Sequence, residues 1–217
     1  MSEILTGPTI KPNSGKITNA IIFLHGYGAN GDDLIGIGNE WKAEIEDTVF
    51  ISPNAPFTCE WSKNAYQWFD LTSIAPEKIG EGLETSGPFL HSFIDDVLLK
   101  YNLDEGKIFF VGFSQGTMMA LFHLCKRRSS CAGLLGYSGL LYENKKFDDE
   151  VLSKFPIRLY HGLNDEVINS EFTSKASEKL KSLGFNVEYH LQNELGHGID
   201  GFGLNFGLEF AKKTLIV

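Results

Sequence analysis

The sequence predicts an α/β fold in which a mostly parallel central sheet carries helices on both faces. Short apolar segments alternate along the chain with stretches whose apolar residues recur at helical spacing, the pattern of strands joined by helices. One of these segments, KIFFVGF at residues 107–113, is apolar almost throughout, as expected of a strand that is covered on both of its faces.

Strands and helices are predicted in alternation along the chain. The predicted strands are residues 20–25, 48–52, 107–113, 131–137, 156–160 and 186–191. The predicted helices are residues 32–45, 88–101, 115–126, 171–183 and 202–214. Gly203 and Gly207 disfavour the last helix by about 1 kcal/mol each relative to alanine. Residues 57–87 follow neither the helical nor the strand period, so we expect a functional loop or lid there. The whole sequence, residues 1–217, is predicted to form one domain.

The composition is that of a globular protein with an acidic surface. Of 217 residues, 42% are apolar and 22% are charged, and 28 acidic against 19 basic side chains give a net charge of −9. Such a chain is not expected to bind nucleic acid or to carry a polybasic membrane anchor. No apolar run is long enough to span a membrane, and the start of the sequence shows no apolar segment of a signal peptide.

The cysteine content indicates a reducing environment. Cys59, Cys125 and Cys131 are odd in number and too few for a disulfide framework, so we expect reduced thiols in a cytoplasmic protein. Neither C-x-x-C nor H-E-x-x-H occurs, and we expect no metal and no organic cofactor. Three histidines have spacings that indicate ordinary packing: His91, His123 and His161.

A candidate nucleophile lies in the pentapeptide GFSQG, which matches G-x-S-x-G with Ser114 at its centre. An apolar strand precedes this motif and a helical pattern follows it, so the serine is predicted on a tight strand-to-helix turn that lifts its hydroxyl clear of the sheet. The alternative is a chance glycine-rich turn. The context of strand and helix favours the nucleophile.

The candidate base is one of two histidines that follow Ser114 late in the chain. A serine hydroxyl needs a base to remove its proton, and in this arrangement the order along the chain is serine, acid, histidine. His190 lies within a predicted strand, whereas His197 lies in the loop sequence GHG, where an imidazole can reach over the sheet edge. We therefore predict His197 as the base, with a solvated loop histidine as the alternative.

The candidate acid is Asp165, which follows the predicted strand at residues 156–160. Its position at the carboxyl edge of the sheet is on the same side as Ser114 and His197, where open α/β sheets bind their ligands. A helix N-cap is the alternative role for this aspartate. Two other candidates, Asp148 and Asp149, lie in the charged run FDDE, which indicates a solvated surface segment.

Two backbone amides are candidates for stabilising an oxyanion. The Gln115 amide follows the serine at a helix N-terminus, where the helix dipole favours negative charge. The Tyr27 amide lies in a glycine-rich loop after the first strand, in the position that supplies the second donor in lipases and esterases. We expect His25 to shape this loop rather than to act as a base.

The same loop also matches a dinucleotide-binding pattern, because GYGANG at residues 26–31 reads G-x-G-x-x-G. That motif requires an acid at the end of the next strand for the ribose, and the sequence there is ISPN. An oxidoreductase is therefore disfavoured. A non-catalytic acyl-binding or scaffold protein remains the second alternative, and the intact serine, acid and histidine argue against it.

Aromatic side chains in residues 57–87 suggest an apolar wall. An acyl chain needs such a wall beside the serine, and aromatic rings supply large areas with few rotors to order. We predict that Trp68 and Phe69 line or cover an acyl pocket. The alternative is that both rings anchor the loop to the core.

Six motifs occur in an order that resembles the phospholipase/carboxylesterase family of α/β-hydrolases, which includes the acyl-protein thioesterases. They are HGYGANGDDL, SPNAPF, QWFD, GFSQG, HGLNDEV and GHGID, and the resemblance extends from about residue 21 to the C-terminal helix. It implies an α/β-hydrolase fold with no large cap domain, and a serine hydrolase without cofactor. It also implies Ser114, Asp165 and His197 as the triad and the Tyr27 and Gln115 amides as the oxyanion hole. The implied substrates are carboxylic esters, thioesters of acylated proteins or lysophospholipids.

Overall fold

The computed structural model describes residues 5–71 and 75–216, and its elements alternate as strand and helix over most of the chain. The strands are β1 (Thr9–Ile10), β2 (Asn19–Leu24), β3 (Thr48–Ile51), β4 (Phe57–Cys59), β5 (Ser62–Gln67), β6 (Ile108–Phe113), β7 (Gly133–Tyr137), β8 (Ile157–Gly162) and β9 (Val187–Gln192). The helices are α1 (Gly31–Trp41), α2 (Pro76–Tyr101), α3 (Gln115–His123), α4 (Glu171–Ser182) and α5 (Gly201–Leu215).

Seven of the strands form one sheet in the order β1–β3–β2–β6–β7–β8–β9. All neighbouring pairs from β3 to β9 are parallel, and only the short β1 runs antiparallel, against β3. Because parallel strands share their direction, the loops that follow β2, β6, β8 and β9 all leave the sheet at one edge. The predicted α/β class, with a mostly parallel sheet, is confirmed.

Apolar side chains cover both faces of this sheet. Along β6, Phe110 packs with the cluster that includes α2, α3 and α4, whereas Phe109 and Val111 pack with the cluster that includes α1 and α5. Side chains of a strand alternate between faces, so a strand that is buried on both sides is apolar at successive positions. This explains the continuous apolar sequence at residues 107–113.

The prediction of a functional loop or lid over residues 57–87 is wrong where regular elements occur, at residues 57–59, 62–67 and 76–87, whereas residues 68–71 are irregular as expected. β4 and β5 form an antiparallel hairpin, and α2 already begins at Pro76, not at residue 88. Pro76 occupies the first turn, where proline's missing N–H has no helical partner, and the helix continues through Pro88. Part of the predicted loop, residues 72–74, lies outside the described residues.

The glycines of α5 are explained by close packing on the sheet. A Cβ at Gly203 would lie 2.7 Å from the Tyr160 ring, and one at Gly207 would lie 2.6 Å from the Tyr137 hydroxyl. Glycine lowers helix propensity, but here it lets the helix approach the tyrosines of β7 and β8. Among the residues described, no helix combines the length and apolar character needed to cross a bilayer.

Candidate active site

Ser114 lies on a strained turn between β6 and α3. Its backbone has φ 52° and ψ −115°, in the left-handed half of conformational space that residues with a side chain rarely adopt. The flanking glycines are needed for close approach, since a Cβ at Gly112 would lie 2.7 Å from the Thr117 amide nitrogen and one at Gly116 would collide with the Leu24 carbonyl. The Ser114 amide donates to the Tyr137 carbonyl at 2.9 Å, which ties the turn to β7.

Asp165 and His197 form a hydrogen-bonded pair at the same edge of the sheet. His197 Nδ1 lies 2.7 Å from Asp165 Oδ2. The other carboxylate oxygen, Oδ1, accepts the amides of Val167 and Ile168 at 2.8 Å each. Burial alone would raise the pKa of Asp165, but the donors from Ile168, His197 and Val167 outweigh it and hold the pKa below its usual value. The carboxylate is therefore charged at neutral pH.

The loops that carry the acid and the histidine are joined by their backbones. Asn164 N donates to the Leu195 carbonyl at 2.9 Å, two residues before His197. Gly162, the last residue of β8, lies so close to the Leu195 carbonyl that a Cβ would collide with it. The His197 ring lies 5.0 Å, between centroids, from the ring of Phe113, the residue before Ser114. The structure thus brings these two loops to the serine turn.

The loop with His197 ends at a capped helix. Asp200 caps α5 by accepting the Gly203 amide at 2.8 Å and the Tyr160 hydroxyl at 2.6 Å. The Tyr137 hydroxyl donates to the Gly203 carbonyl at 2.8 Å. Burial opposes the charge of Asp200, but the hydrogen bonds from Tyr160 and Gly203 outweigh burial and lower its pKa. Two buried tyrosines of the sheet therefore fix the end of the loop.

The alternative candidates for the base and the acid make contacts outside the pair of His197 and Asp165. His190, on β9, stacks on Tyr160 at 5.5 Å between centroids, and its Nε2 lies 3.0 Å from the Gln192 side chain. Asp148 pairs with Lys179 at 2.7 Å on the surface, and Asp149 lies in the same short turn. Asp165 does not cap α4, whose N-cap is Ser170.

The predicted oxyanion loop lies directly against the serine. A Cβ at Gly26 would be 3.3 Å from Ser114 Cβ. Within the described residues, no backbone carbonyl accepts a hydrogen bond from the Tyr27 amide or from the Gln115 amide. In this respect both N–H groups meet the requirement of the predicted oxyanion hole, which needs donors that are not already paired with the backbone.

His25 orients this loop, as expected. It is fully buried, its Nε2 accepts the Ala55 amide at 2.9 Å, and its Nδ1 lies 2.7 Å from the Gly26 carbonyl. Since Nε2 accepts, Nδ1 carries the proton and donates to Gly26. Burial lowers the pKa of His25, which keeps the ring neutral. The Gly26 carbonyl and the Tyr27 N–H belong to one planar peptide, so fixing one fixes the direction of the other.

Trp68 and Phe69 contribute their backbones to the site, while their rings are in the core. Gln115 accepts the Trp68 amide on Oε1 at 2.8 Å and donates from Nε2 to the Phe69 carbonyl at 2.7 Å. The Trp68 indole donates to the His25 carbonyl at 3.0 Å. Trp68 is 0% and Phe69 2% exposed. Phe69 also lines a cavity together with Phe57 and Gln67, so the role of these rings as a wall of an acyl pocket stays a prediction.

The helix that follows the G-x-G-x-x-G sequence already has its N-terminus engaged. Asn30 caps α1 by accepting the Asp32 amide at 2.8 Å, and Gly31 N donates to the Asn54 side chain at 2.8 Å. Asp32 and Asp33 add negative charge to the first turn. A pyrophosphate would meet repulsion here instead of free N–H groups.

One supporting residue escaped sequence analysis. His161 is fully buried at the end of β8, and its Nε2 lies 3.0 Å from Asp165 Oδ2. The sequence indicated only packing for this histidine. Its place at a strand end, four residues before the acid, was the available signal.

A parallel sheet with a strained serine turn, and a histidine–aspartate pair at the edge where its strands end, defines the α/β-hydrolase class of esterases. The chain belongs to the phospholipase/carboxylesterase family, whose model matches residues 5–215. It is a hydrolase of ester or thioester bonds.

Relatives support this assignment in sequence and in structure. The chain is 28% identical over 211 residues to acyl-protein thioesterase 1 of Neurospora crassa, covering 88% of this chain and 84% of that protein. It is 30% identical over 188 residues to acyl-protein thioesterase 1 of Schizosaccharomyces pombe, covering 83% of each. The crystal structure of esterase PE8 superposes with a TM-score of 0.94 and 34% identity, covering 98% of this chain and 100% of that chain.

Proposed function

We propose that Ser114, His197 and Asp165 form a catalytic triad that hydrolyses an ester or thioester through an acyl-enzyme. The observation that carries this proposal is the 2.7 Å contact between His197 Nδ1 and Asp165 Oδ2, beside a serine on a strained turn. In this geometry a carboxylate orients an imidazole so that the other imidazole nitrogen, Nε2, can take the proton of the serine hydroxyl.

In the first half of the reaction, the Ser114 hydroxyl attacks the acyl carbonyl while His197 Nε2 takes its proton. Asp165 accepts the Nδ1–H and stabilises the imidazolium, without itself taking the proton. The Tyr27 and Gln115 amides donate to the oxyanion of the tetrahedral intermediate. The intermediate collapses when His197 returns the proton to the leaving alcohol or thiol, which leaves Ser114 acylated.

In the second half, water attacks the acyl-enzyme. His197 takes a proton from the water, the same two amides stabilise the second oxyanion, and collapse releases the carboxylic acid with Ser114 restored. Each proton taken by His197 is returned, so the site ends each cycle as it began. All steps use side chains and amides that the chain itself supplies.

The substrate is proposed to be an apolar acyl ester or thioester, lipid-like or carried by an acylated protein. The curated relatives reported above bear the name acyl-protein thioesterase 1, which supports this class. Exposed apolar side chains lie on the loops of the site: Tyr27 and Trp61 on the oxyanion side, and Leu163 and Val167 around the acid. The net charge of −9 disfavours a nucleic-acid partner.

We further propose that residues 1–217 form one domain of a cytoplasmic protein. The single seven-stranded sheet takes strands from Thr9 to Gln192, which supports one domain. Cys59, Cys125 and Cys131 are free and buried, which agrees with a reducing compartment.

The test compares wild type with Ser114→Ala on p-nitrophenyl esters and acyl thioesters of graded chain length. We expect Ser114→Ala to lower kcat by several orders of magnitude, as removal of a triad member does, and to abolish labelling by a fluorophosphonate. Ser138→Ala is the matched control, because Ser138 is also buried at a strand end with a positive φ of 46°. A folded Ser114→Ala protein with the turnover of Ser138→Ala would refute the triad.

A further inference from the structure

Two imidazoles share one oxygen of Asp165. His197 Nδ1 lies 2.7 Å and His161 Nε2 3.0 Å from Oδ2, while the amides of Val167 and Ile168 both donate to Oδ1. An ionised carboxylate offers about four lone-pair positions, and here four N–H groups lie within hydrogen-bonding distance. The proposed triad needs only one of these donors, that of His197, so the role of His161 remains to be explained.

The surroundings of His161 determine which of its nitrogens carries the proton. Its Nε2 lies 3.0 Å from Asp165 Oδ2 and 2.9 Å from the Ile168 carbonyl, and both of these oxygens can only accept. Nε2 must therefore be the N–H. Its Nδ1 lies 2.7 Å from the Thr173 hydroxyl on α4, which can donate to it. Every polar atom of the buried ring is thereby satisfied in the neutral form.

We propose that His161 is a positioning residue that sets the orientation of the Asp165 carboxylate towards His197, an inference that rests on the proposed triad. β8, α4 and the turn after β8 hold the ring from three sides. Its N–H holds Oδ2 in the position in which Oδ2 also accepts the His197 N–H. It also draws charge from Oδ2, which keeps the carboxylate a weak base that orients the imidazolium without taking its proton.

Among the described residues, two titratable side chains lie within hydrogen-bonding distance of this carboxylate. His161 approaches from β8 and His197 from the loop before α5, while α4 contributes the uncharged Thr173. Burial lowers the pKa of His161 against the opposing effects of Ile168 and Asp165, so the ring stays neutral while the site works. Changes in the pH profile on altering His161 would therefore report on the Asp165–His197 pair.

The experiment uses His161→Phe, which keeps a planar buried ring and removes both nitrogens, and His161→Gln, whose amide can place an N–H near the original Nε2. We expect kcat on p-nitrophenyl acetate to fall about 10- to 100-fold in His161→Phe with KM little changed, as misplacement of a catalytic group does. The acid limb of kcat/KM should move to higher pH, because a carboxylate with one donor fewer stabilises the imidazolium more strongly. His161→Gln should recover much of the rate, and fluorophosphonate labelling should follow kcat.

Ser177→Ala is the matched control, because Ser177 is buried on the same helix, α4, and among the described residues its hydroxyl has no hydrogen-bond partner. It should leave kcat, the labelling rate and the acid limb at their wild-type values. The proposal would be overturned if folded His161→Phe kept the wild-type kcat, labelling rate and acid limb, whatever the stability of this variant. If His161→Phe does not fold, His161→Asn replaces it, since the shorter amide cannot reach Asp165, and equal kcat for the Asn and Gln variants would overturn the proposal. An active Ser114→Ala variant would refute the triad itself. Failure of the proposed triad can therefore be told apart from failure of the proposed role of His161.

Discussion

At the scale of single residues, burial separates the side chains that support the site from those that can meet a substrate. Trp68 is fully buried against His25, with ring centroids 5.9 Å apart, and its indole N–H donates to the His25 carbonyl at the start of the predicted oxyanion loop. Trp61 is 66% exposed. Its ring lies beside the loop that contains Gly28, since a Cβ at Gly28 would be 3.0 Å from this ring. Two tryptophans close in sequence therefore lie in opposite environments, one buried and one exposed.

We predict that Trp68→Ala lowers the free energy of unfolding by about 3–5 kcal/mol, the usual cost of truncating a large buried aromatic ring. The ratio of kcat/KM for long and short acyl esters should stay at the wild-type value, because the ring does not contact the acyl chain. The measurements are a urea titration and a chain-length series. Trp61→Ala is the control for stability and should cost less than about 0.5 kcal/mol. A changed chain-length ratio in Trp68→Ala would support the prediction that this ring forms a wall of an acyl pocket.

The amide at Tyr27 yields a second prediction at this scale. If the backbone N–H serves the oxyanion, the side chain can change without loss of that donor, and Tyr27→Leu should keep kcat within a few-fold of wild type. His25→Leu should lower kcat by about 10- to 100-fold, because nothing then fixes the Gly26 carbonyl and the direction of the Tyr27 N–H. Steady-state kinetics on one ester measure both variants. Equal rates in the two variants would contradict this division of roles.

At the scale of elements, a helix cap anchors the loop that carries His197. α5 begins after Asp200, which ends the loop with His197 and whose side chain accepts the Gly203 amide. α4 begins after Ser170, whose side chain makes no capping hydrogen bond. The two helices therefore depend on their N-caps to different degrees, and only α5 links its cap to the site.

Asp200→Ala should lower the free energy of unfolding by about 2 kcal/mol, since it removes a cap and leaves the buried Tyr160 hydroxyl without its acceptor. It should also lower kcat, because the loop with His197 loses its anchor. Ser170→Ala should change both quantities much less. Thermal melts and kinetics of the two variants test this, and similar losses in both would show that the cap has no special role.

At the scale of the whole molecule, buried histidines make stability depend on pH. Burial lowers the pKa of His25, His91, His123 and His161, four of the six histidines. For His123 burial lowers the pKa from 6.5 to about 3. The unfolded chain binds a proton at this residue below about pH 6.5, whereas the native protein does not until about pH 3. Stability is therefore full above pH 6.5 and falls as the pH decreases through that window.

We predict that lowering the pH from 8 to 5 costs about 2 kcal/mol of unfolding free energy through His123 alone, with further losses from the other three. His123→Gln removes the titrating ring but can still donate to the Leu83 carbonyl, which the native ring contacts at 2.8 Å. Urea titrations of both proteins at pH 5 and pH 8 measure the difference. Identical pH dependence in wild type and His123→Gln would contradict the assignment to His123.

The features that sequence analysis predicted correctly depend on local physics. The apolar run of β6 reflects a strand that is buried on both faces, and Gly112 is required because a Cβ there would meet Thr117, five positions along the chain. Gly116, in contrast, is required by the distant Leu24 carbonyl. Strand order along a parallel sheet then places the ends of β6, β8 and β9 at one edge. For these reasons the sequence by itself determined the fold class and the candidate nucleophile, acid and base.

Other features were decided only by contacts between distant parts of the chain. The Trp68 amide meets the Gln115 side chain across 47 positions, and this contact draws residues 68–69 into the core instead of a lid. The polar strand β5 is held by partners elsewhere in the chain, since it pairs with β4 and its Tyr66 forms an isolated bridge with Ala29. α2 continues through a proline that locally suggests a helix start. His161 gained its role because α4 and the turn with Asp165 close around it. Local periodicity carries no information about such partners, because their free energy arises only when the chain has folded.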